Sequence, residues 1–188
     1  MDRIKSAWEI AMERAQRMEV TPEELKKQQK ERCVLAGEAI AEKYLDGFDL
    51  QQLAEDLKRQ PAEDRELVAR AAVRKLAGAL RLGDYELLGR VVEGVSVLRG
   101  EGEGAAERLR SLMGSFSVLY DSYQSALRKK RGEIEAAGRA VLARLGVSGE
   151  AVAAINPAVN KEWAQALGAV AGSHEKEFAH YREELAEV

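Results

Sequence analysis

The sequence predicts an all-α protein, a helical bundle of six to eight helices with long N- and C-terminal helices. Ala, Leu, Glu, Arg and Lys dominate, and aromatic residues make up only 5% of the chain. This composition is typical of helices that pack through small and aliphatic side chains. Apolar residues also recur at spacings of three and four along most of the chain, and caps, glycines and prolines divide that pattern into separate helices.

The first two helices are predicted from an apolar stripe and a start signal. The first covers about four turns and places its apolar residues on one stripe: Ile4, Trp8, Ala11, Ala15 and Met18. Thr21, followed by Pro22 and by Glu24, is the start signal of a second helix that extends to about Tyr44. The first half of this second helix is polar almost all round, so we expect only its second half to be well buried.

Aspartates and glycines mark the boundaries of the next three helices. Asp49 is expected to cap a short helix. Residues 62–82 form the following helix, which closes at Gly83, where a left-handed glycine would end it. Asp84 then caps a strongly apolar helix that ends at Gly100, and this helix is expected to lie centrally in the core.

The second half of the chain is predicted to form a long helical hairpin. Residues 105–145 carry an apolar stripe that is about 60 Å long if it is unbroken. We expect a kink or break near Gly132, because glycine weakens a helix interior by about 1 kcal/mol relative to alanine. Gly146 ends this helix, and Asn156 followed by Pro157 is the start signal of the last one.

The chain is long enough to bury a core of its own, at 188 residues. We expect a single helical unit over residues 1–188, with two possible sub-units. These are residues 1–99, the N-terminal helices with a central hairpin, and residues 105–188, the long helical hairpin. The sequence GEGEG at 100–104 predicts a flexible loop between them, because alternating Gly and Glu offer no apolar side chain to bury.

The last helix is the predicted association surface. Seven of its residues follow one another at spacings of three and four: Trp163, Leu167, Val170, His174, Phe178, Tyr181 and Leu185. The two long stripes exceed what one domain of this size needs to bury. We therefore expect a homodimer or another helix-mediated complex with these residues in the interface.

Charge and hydropathy exclude two classes of partner. The 29 basic and 32 acidic residues give a net charge of −3 and alternate along most segments, so we expect no nucleic-acid partner. The one basic run, at 128–131, surrounds a helix on all sides and is closely followed by Glu133 and Glu135. No run of eighteen apolar residues occurs, and we expect no membrane insertion and a cytoplasmic location.

A metal site is conceivable near the C-terminus, where HEKEFAHYREE at 174–184 contains both histidines of the chain. Glu177 and His180 are spaced like the carboxylate and imidazole pair of di-iron helical bundles. Such a site needs a second pair on another helix, which two histidines in one segment cannot supply. We therefore expect a solvated or partner-facing helix end, with a carboxylate and histidine metalloprotein as one alternative.

A small-ligand pocket is a further alternative. Tyr120, Tyr123 and Trp163 could line a cavity between helices, although aromatic residues at helical spacing are more often part of a core. Cys33 and the serines lack the glycine pattern of a nucleophile elbow, and the histidines lie only in the last helix. We expect no catalytic residue and no cofactor.

The opening DRIKSAWEIAMERAQ, together with GEAIAEKYLDG at 37–47, resembles the N-terminal pattern of an uncharacterised family of bacterial all-helical proteins. The resemblance covers about a quarter of the chain and carries no catalytic residue across. It implies a bacterial cytosolic protein. Taken with the residues above, it favours a non-enzymatic structural, scaffold or adaptor protein that acts through helix-mediated association, with a ligand-binding or regulatory helical protein as the alternative.

Overall fold

The computed structural model describes residues 21–100, 103–147 and 160–188. Within these ranges six helices hold 87% of the residues and no strand occurs, which confirms the predicted all-α class. The helices are α1 (Pro22–Gly47), α2 (Leu50–Lys58), α3 (Arg65–Ala79), α4 (Tyr85–Arg99), α5 (Glu103–Arg144) and α6 (Lys161–Glu187). The helix predicted over residues 1–20 lies outside the described residues.

Side-chain caps begin three of these helices where the sequence predicts them. Thr21 and Glu24 form a capping box in which the Thr21 hydroxyl accepts from the Glu24 amide and the Glu24 carboxylate accepts from the Thr21 amide. Asp49 and Asp84 each accept a hydrogen bond from the backbone amide three residues further on. These caps satisfy amides that have no partner inside the helix, so local sequence determines the start of α1, α2 and α4.

The start of α3 differs from the prediction. The helix begins at Arg65 and not at residue 62, because the amides of Asp64 and Arg65 both donate to the Pro61 carbonyl oxygen and hold residues 61–64 in a turn. The helix ends at Ala79. Gly83, with a φ of 84°, ends the short connection to α4 and does not directly cap α3.

The long helix α5 also differs in two respects. It begins at Glu103, so Gly104 of the expected loop is helical, and it continues as one helix of 42 residues through Gly132. Ile134, close to that glycine, is buried. Burial of this side chain offsets the weak helix propensity of glycine, which accounts for the continuous helix. Gly146 follows the helix in the left-handed conformation, as expected.

The last helix, α6, begins at Lys161 with Asn160 as its cap. The Asn160 side chain accepts hydrogen bonds from the amides of Glu162 and Trp163. The expected start signal at 156–157 lies outside the described residues. With 27 residues in α6 and 26 in α1, long helices lie towards both ends of the described chain.

The core forms where α1, α3 and α4 meet the first half of α5 and the second half of α6. α5 and α6 are antiparallel, because Phe116 lies against Phe178 and Tyr123 against His174. An ion pair between Arg74 and the C-terminal end of α6 joins α3 to this hairpin. One apolar cluster thus includes helices of both predicted sub-units, and their division stays a prediction.

Hydropathy adds one further observation. Among the helices in the described ranges, none combines the length and the apolar composition that a bilayer-spanning helix needs.

Candidate protein-association surface

A groove between α1 and α3 is open to solvent. Its volume is about 610 Å³. Its apolar floor consists of Val34 from α1 together with four residues of α3: Leu67, Ala71, Gly78 and Ala79. Val34 and Leu67 are each 38% exposed, and the neighbouring Leu35 is 67% exposed. Two aliphatic side chains of the groove floor, Val34 and Leu67, thus meet water, although this type of residue is usually buried.

The two walls of the groove are parallel helices in close contact. Arg32 pairs with Asp64 near the start of α3, while Glu42, further along α1, pairs with Lys75 near its end. Between these pairs, Gly37 lies against α3: a Cβ atom there would be 2.4 Å from the Val68 carbonyl oxygen. Only glycine permits this approach of the two backbones, so Gly37 determines how closely the walls meet.

The rim of the groove is charged and ion-paired. Four cations line it, namely Lys30, Arg70, Arg74 and Lys75, together with one acid, Glu38. Arg70 and Arg74 bind carboxylates at 2.9 and 3.1 Å, and Lys75 binds Glu42 at 2.7 Å. The hydrogen bond from Lys75 to Glu42 raises the pKa of Lys75 above its usual value. These side chains are partly exposed, where such pairs contribute about 0–1 kcal/mol, so a partner could displace them at low cost.

A buried carboxylate anchors the N-terminal end of the two walls. Asp64 is 2% exposed and accepts hydrogen bonds from Gln29 at 2.6 Å and from Arg32 at 2.7 Å. Because both donors come from the polar first half of α1, Asp64 holds that segment against the start of α3.

Burial and the nearby Asp64 carboxylate make the Cys33 thiol unreactive. Burial raises the pKa of the Cys33 thiol, and the negative charge of Asp64 raises it further. The thiol therefore stays protonated near neutral pH, and the thiolate is the nucleophilic form of cysteine. Cys33 is thus a small buried residue of the apolar core.

Asp64→Asn is expected to lower stability at neutral pH and to reduce its loss in acid. The hydrogen bond from Gln29 is the largest cause that holds the pKa of Asp64 below its ordinary value, followed by the bond from Arg32. A lowered folded-state pKa stabilises the fold above about pH 4, and this contribution disappears as pH falls through the folded pKa. Urea denaturation between neutral pH and about pH 3 measures both effects.

Asp46→Asn, the same chemical change at an exposed position of α1, serves as the control for the Asp64 variant. It should leave the urea midpoint at neutral pH, and the loss of stability between neutral pH and about pH 3, close to those of the native chain. The pKa of Asp56 is lowered mainly by its hydrogen bond from Lys43. Asp56 will therefore cause part of the loss of stability in acid in every variant. If the two asparagine variants showed the same stability at every pH, that result would contradict an anchoring role for Asp64.

The predicted interface residues of α6 differ in how far the chain itself buries them. Phe178 and Leu185 are fully buried in the chain's own core, and Tyr181 packs against that core. His174 donates from Nδ1 to the Val170 carbonyl oxygen and faces Ser122 of α5 through Nε2. The remaining three, Trp163, Leu167 and Val170, are half-buried. Much of the predicted stripe thus packs within the chain, and its role in an interface stays a prediction.

The predicted pocket aromatics pack against neighbouring side chains. Tyr120 is fully buried, donates from its hydroxyl to the Arg81 carbonyl oxygen at 2.7 Å, and contacts the rings of Tyr85 and Phe116. Tyr123 packs on His174. Trp163 is half-buried near the start of α6. A ligand pocket shared by Tyr120, Tyr123 and Trp163 stays a prediction.

The predicted metal pair has other partners in α6. Glu177 accepts a hydrogen bond from the Tyr181 hydroxyl at 2.8 Å, and the exposed His180 faces Glu184 at 3.2 Å. Across 21–100, 103–147 and 160–188, no group of three or more His, Cys, Asp or Glu side chains is arranged to hold a metal ion. In this part of the chain, Glu177 and His180 therefore lack the further ligands that the metalloprotein alternative requires.

The groove between α1 and α3 is not predicted from the sequence. The first half of α1 is predicted to be polar almost all round and residues 62–82 are predicted only to form one helix, so no groove between them follows from the pattern. The available signal was the row of Lys30, Val34 and Glu38, which have four-residue spacing and share one side of α1.

Comparisons of the chain with protein-family models, with curated proteins and with solved structures gave no match. The resemblance to a bacterial helical family stays a prediction.

Proposed function

We propose that this chain is a non-enzymatic scaffold or adaptor protein that binds an α-helix in the groove between α1 and α3. The exposure of Val34 and Leu67 on the floor of this groove is the observation that carries the proposal. An apolar floor with charged edges is the usual surface for helix-in-groove recognition. A bacterial, cytoplasmic setting, expected from the sequence, belongs to the same proposal.

The dimensions of the groove support a helical occupant. Along α3 the lining runs from Leu67 to Ala79, which is about 18 Å at 1.5 Å per residue. A helix of three to four turns would cover this length and bury Val34 with Leu67. Its charged residues would exchange partners with the ion pairs of the rim, which are weak because they are exposed to solvent.

Site-specific photo-crosslinking in the cells that produce the protein tests the proposal. Benzoylphenylalanine is incorporated at position 34 of the full chain, and at position 118 as the matched control. Val118 is also an exposed valine on a helix, 72% exposed on α5, and it does not line the groove. We expect covalent adducts from position 34 in excess of those from position 118. The adducts should disappear when Leu67→Glu is added, because that change puts a charge on the apolar floor.

Two results would contradict the proposal. Equal adduct formation at 34 and 118 would show that the groove is no preferred contact surface. Adducts at 34 that persist with Leu67→Glu would show that the partner contacts α1 from outside the groove. Adduct masses measured by mass spectrometry also identify the partner as a second copy of the chain or as another protein.

A further inference from the structure

We infer that the occupant of the groove is a second copy of the chain, with the two α1 helices antiparallel about a two-fold axis at Val34. This inference rests on the proposed function, because it assigns the partner of the same groove. Two features of the described residues carry it: the order of charges along one side of α1, and the apolar residues at the centre of that side.

The charges on the groove side of α1 are complementary to themselves. Lys30, Val34 and Glu38 all line the groove, with the cation four residues before the valine and the acid four residues after it. In an antiparallel pair with Val34 at the two-fold axis, Lys30 of each copy faces Glu38 of the other. A two-fold interface repeats each contact, so the pair of helices gains two ion pairs of opposite charge.

The same charges disfavour a parallel arrangement. If the two α1 helices ran in one direction with Val34 in register, Lys30 would face Lys30 and Glu38 would face Glu38. Like charges placed opposite one another oppose association. The row therefore selects the antiparallel orientation as well as the register.

Within one chain, Lys30 and Glu38 cannot pair with each other. They are eight residues apart, about 12 Å along the helix axis, so their order stabilises no contact inside α1. Glu38 does lie near Lys75 and adds to the raised pKa of Lys75, but Glu42 supplies the hydrogen bond to that lysine and is the larger cause.

The apolar residues meet at the proposed axis. Val34 and Leu67 lie on the floor of the groove, and each is 38% exposed. Two-fold symmetry would bring the two Val34 side chains together at the axis and set Leu67 of each copy against α1 of the other, so each would gain an apolar neighbour. The interface would then have an aliphatic centre between two ion pairs, the arrangement expected of a specific association surface.

Charge reversal tests the inference on the full chain by sedimentation equilibrium. We expect the native chain to reach twice its mass of 20.7 kDa. Lys30→Glu and Glu38→Lys should each raise the dimer dissociation constant by about tenfold or more, because either change sets like charges opposite one another at two places. The double variant with both changes should recover native dimerisation, because its pairs are restored in reversed order.

Mixing the two single variants is the sharpest measurement. A Lys30→Glu chain carries acids at both positions and a Glu38→Lys chain carries bases at both. Each therefore repels its own copy but matches the other. We expect an equimolar mixture to form heterodimers with near-native affinity although each variant alone is largely monomeric. Lys129→Glu, on an exposed site of α5, controls for a general effect of changed net charge and should dimerise like the native chain.

Three results would overturn the inference: a monomeric native chain, single variants that dimerise like the native chain, or a mixture that stays monomeric. The second result would place a dimer interface elsewhere, for instance at Trp163, Leu167 and Val170 of α6. If the native chain is monomeric while position 34 crosslinks to a different protein, only the second-copy inference fails. If position 34 forms no preferred adduct, the groove proposal itself fails.

Discussion

Phe116→Ala is expected to lower the free energy of unfolding by about 3–5 kcal/mol, the usual loss when a buried phenylalanine is truncated. Phe116 is fully buried on α5. Its ring makes edge contacts with Tyr120 of the same helix and with Phe178 and Tyr181 of α6. Removal of the ring leaves a cavity at the centre of this cluster and weakens the attachment of α6 to the core.

Urea denaturation followed by circular dichroism at 222 nm measures this loss. Val118→Ala is the matched control, since Val118 lies two residues further along α5 and is largely exposed. The control should change stability by less than about 0.5 kcal/mol. A comparably small change for Phe116→Ala would contradict the aromatic cluster as the contact that holds α6 on the core.

The helix starts could be predicted from sequence because their determinants are local. Thr21, Asp49 and Asp84 each cap a helix through an amide that lies only three residues away. The continuity of α5 was not predictable in the same way. Gly132 alone favours a break, and the burial of Ile134 that opposes it depends on packing that no local pattern contains.

An apolar stripe on a helix likewise does not determine which surface packs against it. Their spacing places Phe178 and Leu185 on one apolar face of α6, but spacing does not show whether their own chain or another chain covers that face. In the structure they are buried by the chain itself. An interface predicted from spacing alone therefore includes core residues together with any true contact surface.

The hydrogen-bond partners of Asp64 could not be predicted from the sequence either. Asp64 is one of 32 acidic residues, and its side-chain partners Gln29 and Arg32 lie 35 and 32 residues away in the sequence. Only the packing of α1 on α3 brings these groups together. The groove side of α1 is more local, because Lys30, Val34 and Glu38 share one face of any helix that contains them. Its exposure, however, depends on where α3 lies.

Gly37→Ala is expected to destabilise the chain by about 3 kcal/mol, even though alanine is the better helix former. A Cβ atom at position 37 would lie 2.4 Å from the Val68 carbonyl oxygen, 2.7 Å from the Ala71 Cβ atom and 2.9 Å from the Ala72 amide nitrogen. Two of these three atoms belong to the α3 backbone and cannot rotate away. The helices must therefore separate, which also widens the groove and loosens its apolar floor.

Gly89→Ala is the matched control, because Gly89 lies inside α4 and a Cβ atom there meets nothing within 4 Å. Alanine should stabilise that position by up to about 1 kcal/mol through helix propensity alone. Since the same propensity gain applies at position 37, the difference between the two variants isolates the contact between α1 and α3. Thermal and urea denaturation of both variants measure it. If Gly37→Ala proves as stable as Gly89→Ala, the walls of the groove are further apart than the structure places them, and the association surface would have to be sought on another face.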